Sequence, residues 1–467
     1  MEVRAPYREL VTLLIIASSL LSGCASYQPR SLEPSATLAD LEGRRLDDRG
    51  LQAFFTAHEK AIDASRGRWG LSEFTLVALY FHPELATARA ELELAKAGTV
   101  RAAEIPNPTL SVGPGYNSTS TGISPWILTT ALDFPVEWPA KRSLRREGAR
   151  REEQSAYWQL AATAWKVRSR LRQALLSLYA SERMERQLQD QEDLQSEIAE
   201  LLEQKRKAGE ASPFEASQAR LGLSQTRLSL HEAERQVAIG RVRLADAIGI
   251  PHVALEDVSI DYSAFDRDRS GIGSAEARRR ALTNRADLLA ALEDYAVAEE
   301  NLHLEIADQY PDFNLGPGYE LDQTDNKWSL GLSVELPILN RHRGRIAEAE
   351  KTRELAAARF SQLQNAVLGE IDEAVANLDG SRRKTRTARE ILSEVEEAAT
   401  LSDKIQQAGE IEKAELLQRK LEVSASQMAL IDAEIGELEA VGQLEDALQV
   451  PTDVPLDSLL PERSSTP

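Results

Sequence analysis

Leu110-Ser111-Val112-Gly113-Pro114-Gly115-Tyr116 returns as Phe313-Asn314-Leu315-Gly316-Pro317-Gly318-Tyr319, an offset of 203. The echo widens at the same offset: Ala78-Leu79 matches Ala281-Leu282, Glu84-Leu85 matches Asp287-Leu288, and Pro108 matches Pro311. Further along, Ala208-Gly209-Glu210 matches Ala408-Gly409-Glu410 and Pro251 matches Pro451, at an offset of 200. Solenoid repeats run to roughly 20–50 residues, so this spacing describes one architectural unit built twice.

The hydrophobic period changes in the same order in both copies. A helical pattern from Ser72 to about Glu104, bent at Pro83, opens the first copy. Period-2 alternation follows at Leu110, Val112 and Tyr116, and again from Trp126 through Leu128, Leu132, Phe134 and Val136. The second copy is cleaner: Trp328, Leu330, Leu332, Val334 and Leu336 alternate with Lys327, Ser329, Gly331, Ser333 and Glu335. Each copy therefore holds a pair of half-buried strands, with polar connectors expected at Asn117–Pro125 and Glu320–Asn326. Proline is rare inside sheets, so the Gly-Pro-Gly segments are expected to bulge or to lie before the strands begin.

After Pro135 and Pro337 the chain turns uniformly helical. A helix from Lys141 to Lys207 would be roughly 100 Å long at 1.5 Å per residue. Gly209 ends it, and Ser212-Pro213 starts a return helix to about Ile248. Gly409 marks the matching turn, with a return from Glu412 to Leu448. The expected organisation is 1–23 leader, 24–70 wrapping segment, 71–250 first repeat, 251–273 linker, 274–450 second repeat and 451–467 tail. The fold class is mixed α+β, with a duplicated half of helix, strand pair and two long helices.

Four apolar-faced strands of about ten residues fit a tilted membrane strand. Four cannot close a barrel, which takes about eight, and an open sheet in lipid leaves backbone groups unsatisfied. If the strands lie in a membrane, several chains share one barrel, and three would give twelve strands.

The bulk numbers agree with long helices. Of 467 residues 5% are aromatic, and the formal net charge is −20. That charge argues against binding nucleic acid through its phosphates. The single cysteine, Cys24, excludes an intrachain disulfide. It follows a basic start (Arg4, Arg8), an apolar run from Leu10 to Leu21 and the small residues Ser22-Gly23. This is a secretory leader with a cleavage site. It resembles a bacterial lipobox, which implies that Cys24 becomes a lipidated N-terminus.

Taken together, these features resemble the TolC family of outer-membrane efflux channels over residues 70–455. The carriers are Ala78-Leu79-Tyr80-Phe81-His82-Pro83-Glu84-Leu85 with its echo at 281–288, the two strand pairs and the Ala-Gly-Glu turns. The resemblance implies a homotrimer with a 12-stranded outer-membrane β-barrel continued by a periplasmic α-helical barrel. The implied partners are outer-membrane lipid, a periplasmic adaptor (membrane fusion protein) and an inner-membrane RND-type transporter. Glu137-Trp138-Pro139-Ala140-Lys141-Arg142 is similar to a segment of the heavy-metal (CzcC-like) branch, with Ala140 where glycine is common. Heavy-metal cations are thus the expected cargo. Drug efflux or type I secretion is the alternative, and a lipid-anchored coiled-coil scaffold without a pore is the alternative of another class.

No catalytic motif is present. His58, His82, His231, His252, His303 and His342 are scattered, and none pairs at i, i+3 or i+4 for a metal site. No cofactor is expected. By the resemblance the inter-helix turns lie at the periplasmic tip, where Glu415 and Glu412, and more weakly Glu410, are candidates for an acidic ring at the aperture. The same acids would also suit a helix N-terminus. The turns at Gly209 and Gly409 are candidates for adaptor docking. Lys205, Arg206 and Lys207 suit the negative end of a helix, with a gating salt bridge as the alternative. Trp126, Trp138 and Trp328 stand at strand ends, where membrane interfaces favour Trp.

Overall fold

The structure, a computed structural model, describes residues 27–57, 68–119, 122, 124–266 and 275–450. The leader 1–23, Cys24, His58 and the tail 451–467 lie outside the described residues. Residues 27–44 form a small unit with one exposed helix, α1 (Pro34–Glu42), that starts with proline in its first turn.

In the rest of the chain the elements run in the repeated order. After α2 (Arg49–Ala57), which precedes the repeats, the first copy comprises α3 (Leu71–Phe81), α4 (Pro83–Ala103), β1 (Thr109–Tyr116), β2 (Trp126–Val136), α5 (Pro139–Ala208) and α6 (Pro213–Ile248). The second comprises α7 (Ala275–Asn284), α8 (Ala286–Ala307), β3 (Phe313–Asp322), β4 (Asp325–Val334), α9 (Arg343–Gln407) and α10 (Lys413–Leu448). Pro83 splits the expected 72–104 helix in two. Its missing N–H falls at the first turn of α4, where none is needed. The preceding His82 caps α4 by accepting the Glu84 N–H on Nδ1 at 3.3 Å. The cap of α3 is Gly70, whose N–H donates to Glu73 at 2.9 Å, so Ser72 sits inside the helix rather than at its start.

The strands form one antiparallel sheet in the order β1-β2-β3-β4. Tyr116 lies opposite Trp126 and Tyr319 opposite Trp328, so the two hairpins share one register. Both Gly-Pro-Gly segments are inside strands. Between β2 and β3 the ladder lapses opposite Gly316 and Pro317, where the proline has no N–H to give. Gly316 also makes room for Asp133, whose Oδ1 would stand 2.8 Å from a Cβ there. The second connector is shorter than expected. Glu320, Leu321 and Asp322 pair with Lys327, Asn326 and Asp325, leaving Gln323-Thr324 as the turn, with Gln323 at φ 59°. These polar residues read as loop, yet they continue the ladder to the turn.

The largest core joins α3, α4, α5 and α6 through Phe74, Leu85, Leu171, Leu178, Leu244 and Ile248. The 251–266 part of the linker is not a loose tie. Leu255, Ala264 and Phe265 enter this core, and Ile260 pairs with Trp69 as a single parallel bridge. The α6 helix ends at Gly249, at φ +87°, and a Cβ there would stand 2.9 Å from the His82 Cα. Left-handed backbone costs a non-glycine residue about 1–2 kcal/mol, before the clash with backbone is counted. Gly249→Ala is therefore expected to destabilise the fold by about 2 kcal/mol or more, seen as a lower thermal midpoint of the detergent-purified protein.

One ionic cluster is buried between the copies. Arg172 Nε lies 3.3 Å and Arg168 Nη2 3.8 Å from Glu445 of α10. Arg172 also donates to the Leu438 carbonyl at 2.9 Å. The guanidiniums lie over Trp165 at 5.1 Å and Phe265 at 5.7 Å. Beside them the Ser169 hydroxyl donates to Asp446. Burial pushes the Asp446 carboxyl above its ordinary range, against the pull of Ser169 and the two arginines. Gly442 leaves the space that Arg172 occupies, since a Cβ would fall 1.8 Å from its Nη1.

Candidate functional site

Two regions carry the chemistry, one at each end of the long helices. The first is the sheet. Leu110, Val112, Tyr116, Trp126, Leu128, Phe134, Trp328, Leu330 and Leu332 occupy one face by the period of two, and all are exposed. Trp328 is 81% and Leu332 70% exposed. Aromatic residues mark both limits of this face. At the hairpin end Tyr116 packs on Trp126 at 5.2 Å and Tyr319 on Trp328 at 4.9 Å; at the helix end Trp138 stacks on Tyr310 at 6.2 Å. From Trp126 to Trp138 the chain covers roughly 40 Å at a strand rise of 3.3 Å. Tilted by about 40°, that is roughly 30 Å, the scale of an apolar band between aromatic girdles. The sheet–helix junction is ionic: Lys141, buried, reaches Asp308 at 3.3 Å and Asp312 at 3.0 Å, while Glu137 and Arg145 form a two-bonded pair at 2.8 Å.

The second region is the tip. Gly209 and Gly409 both adopt φ +80°, and nothing lies within 4 Å of where a Cβ would be. The left-handed residue lets the Glu210 and Glu410 N–H groups donate back to Lys205 and Ile405 carbonyls, at 2.8 and 3.2 Å. There the copies diverge. In the first, the Ser212 Oγ accepts the Glu215 N–H at 3.1 Å, and Glu215 accepts the Ser212 N–H at 2.7 Å. These bonds from Ser212 hold the Glu215 carboxyl below its ordinary range. In the second, Glu412 stands at the cap without a side-chain cap bond. Its carboxylate instead receives the Lys205 ammonium from the first turn, which raises Lys205 above its ordinary range. Lys413 returns the contact to Glu197 of α5 at 2.6 Å.

The sequence-predicted residues therefore separate into two sets. Glu412 and Lys205 are brought together in a bridge between the two hairpins. Glu415 is exposed, lies in the first turn of α10 and belongs to no capping box; Glu410 is exposed at the turn itself. The partner of Lys205 was not legible, because the two residues lie 207 positions apart. Beneath the bridge, Ile198, Ala199, Ala219 and Leu417 pack α5, α6 and α10 together. The α9 helix carries no buried residue beyond Thr385. Among the described residues no group of three or more His, Cys, Asp or Glu could hold a metal ion. No described helix is long and apolar enough to cross a membrane.

An apolar-faced sheet bounded by aromatic residues, continued by paired helices of 70 and 65 residues, defines a membrane-strand protein with a long helical extension. The match is more specific than that. The chain belongs to the outer membrane efflux protein family, which it matches over residues 77–250 and 277–448, one stretch per copy. It is an efflux channel component of the Gram-negative outer membrane, extending into the periplasm. It is similar to the cobalt-zinc-cadmium resistance protein CzcC of Cupriavidus metallidurans, with 24% identity over 371 residues, 78% of this chain and 84% of that protein. It is also similar to the pyoverdine export outer membrane protein OpmQ of Pseudomonas aeruginosa, with 25% identity over 54% of each chain. The crystal structure of a membrane protein from Pseudomonas aeruginosa superposes with a TM-score of 0.68 at 19% identity, covering 91% of this chain and 99% of that one.

Proposed function

We propose that three copies of this chain form the passive exit duct of a tripartite pump that exports heavy-metal cations. The observation that carries the reading is the sheet: one face is apolar between aromatic limits, and β1 and β4 each have an unpaired edge. In lipid those edges must be closed, and twelve strands from three chains would close them around a lumen. The periplasmic helices would extend that lumen by roughly 100 Å. An adaptor would dock at the exposed Gly209 and Gly409 turns, and an inner-membrane RND-type transporter would supply energy and selection. Cys24 would anchor each chain by lipid. The similarity to CzcC over most of both chains favours metal cations, and that to OpmQ over half of each supports export of another cargo as the second reading.

At the tip, Glu415 would point three carboxylates toward the threefold axis, attracting cations and repelling one another. Bound divalent ions would relieve that repulsion and hold the tip shut. The test is single-channel conductance of the purified lipidated protein in a planar bilayer. The expected pore prefers cations and is blocked by millimolar magnesium; Glu415→Ala should lose the block and part of the preference. A pore indifferent to the change would remove Glu415 from the aperture, and no conductance from a monomeric protein would favour the scaffold. Cobalt, zinc and cadmium tolerance of cells lacking the chain tests the cargo.

The Lys205–Glu412 bridge would tie the two hairpins of one chain in the shut state. Lys205→Glu sets like charges against each other, and the expected result is a larger mean conductance than wild type. Lys205→Glu combined with Glu412→Lys should return it toward the wild-type value in the same bilayer experiment.

A further inference from the structure

Seven lysines and arginines and six acids meet where the sheet joins the helices, in segments 104–108, 137–147, 308–312 and 335–346. The sheet gathers these segments at one end, because Val136, Phe313 and Val334 share a row across β2, β3 and β4. Four of the acids are used internally. Asp308 and Asp312 hold Lys141, Glu137 holds Arg145, and Glu147 is taken by Arg150 and Arg151. Arg142, Arg146, Arg341, Arg343 and Arg345 remain, and none of them has an ion partner among the described residues. Arg142 is half-buried and the other four are exposed. Against these five stand Glu104 and Glu335, both exposed.

The arginines do not serve their helices. A helix N-terminus carries partial positive charge and favours acids. Helices α3, α4, α6, α7, α8 and α10 each have an acid in the first turn. Helices α5 and α9, which leave the sheet, have none. They open instead with Lys141-Arg142 and with Arg343-Gly344-Arg345. In a chain of net charge −20, a cationic patch set against two helix dipoles calls for an anion from outside the chain. The hairpin end of the sheet is the reverse: Glu320, Asp322 and Asp325 outnumber Lys327, and 117–125 carries no charge.

The surface beside the arginines identifies the anion. Leu336, Ile338 and Leu339 carry exposed apolar surface up to Arg341, with Leu339 98% exposed. Arg142 follows Trp138 by four residues, roughly 6 Å along the helix, which is the depth of the headgroup layer outside the hydrocarbon. Arg146 lies one turn further on. Helical side chains lean toward the N-terminus of their helix, so its long stem can reach back toward the sheet.

We propose that Arg142, Arg146, Arg341, Arg343 and Arg345 form a cationic patch that binds the phosphates of anionic phospholipids in the leaflet at the helix end of the sheet. Guanidinium forks match phosphate oxygens, and the neighbouring apolar residues would take the acyl chains. A free phosphate would occupy the forks and leave Leu336, Ile338 and Leu339 in water. Because the hairpin end lacks a matching patch, the arginines give the sheet a direction in the bilayer. The inference rests on the duct reading, which puts the apolar face of the sheet in lipid, and adds the headgroup that the sheet's helix end selects.

The test is quenching of tryptophan by lipid in the full-length protein, reconstituted in phosphatidylcholine vesicles. Trp126→Phe with Trp328→Phe leaves Trp138 as the tryptophan at the membrane, since Trp69, Trp158 and Trp165 belong to the helical region. Brominated phosphatidylglycerol should quench Trp138 as though enriched about fivefold over brominated phosphatidylcholine, the attraction of about one surface cation. The ratio should fall toward one at about 1 M salt. Changing all five arginines to Gln should bring the ratio to about one with conductance retained. Arg343→Gln with Arg345→Gln, both exposed, should already lower it. An unchanged ratio in both variants overturns the patch, and if metal tolerance of the cells is lost at the same time, the arginines serve an acidic protein partner instead. Displacement by inorganic phosphate but not by chloride of equal ionic strength assigns them to a free anion and overturns the lipid. A wild-type protein that conducts and shows no preference overturns the patch and leaves the duct reading standing. One that neither conducts nor is quenched by either lipid overturns both.

Discussion

Glu445→Ala is expected to cost about 3–5 kcal/mol, the range for removing one partner of a buried ion pair. Glu445 is fully buried, and so is the side chain of Arg168; that of Arg172 is 4% exposed. Without the glutamate, two guanidiniums remain in an apolar interior with little water to reach them. Asp446 lies close enough for both arginines to pull on its carboxyl, so it takes up part of the lost charge. That places the loss toward the lower end of the range and should lower the Asp446 pKa from its burial-raised position. Replacing the whole set with Arg168→Met, Arg172→Met and Glu445→Leu should recover most of the loss, because the desolvation penalty leaves with the charges. The contrast is measured by the thermal midpoints of the purified variants. A single substitution as mild as the triple one would mean that water reaches the cluster.

The same cluster shows what a sequence can and cannot say. Duplication, strand pairs and long helices were legible because each is a periodicity: two for Trp328 to Leu336, helical for the stretch after Lys141, and 200 or 203 for the copies. The glycines at 209 and 409 were legible because a left-handed helix end selects that residue. Nothing in the sequence singles out Arg168, Arg172 and Glu445, since charge in a long helix is normally solvated. Only the packing of α5 on α10, which brings Arg172 to the Leu438 carbonyl 266 positions away, makes them interior. The linker shows the same limit: nothing in its acids and glycines marked Leu255 and Phe265 as the residues that anchor it in the core. At the tip the acids were read as a ring or as caps. The structure gave Glu412 to Lys205 and left Glu415 without a cap, a division that depends on Ser212 having Glu412 as its counterpart.

Leu332→Arg is the second change with a large expected effect. Leu332 lies in the middle of the alternating run from Trp328 to Leu336, opposite Leu315 and 70% exposed in the chain. On the lipid face of a barrel an arginine near the bilayer midplane costs about 2–4 kcal/mol. A threefold assembly meets that cost in every chain. The expected result is loss of the heat-modifiable oligomer from the outer-membrane fraction, with the protein retained in the periplasm or degraded. Ser333→Arg, one residue on, adds the same charge to the other face. There it would meet a lumen that contains water, so assembly should survive and the pore should become less cation-preferring. The pair separates membrane insertion from general disruption of the strand, because both substitutions place the same side chain in the same stretch of backbone. If both variants assembled equally, the apolar face would not be in lipid, and the long helices would have to be explained as a scaffold. If only Leu332→Arg fails, the alternation from Trp328 to Leu336 is a membrane signal. The requirement that β1 and β4 find partners then follows from the backbone alone, since a sheet edge in hydrocarbon has no water to turn to.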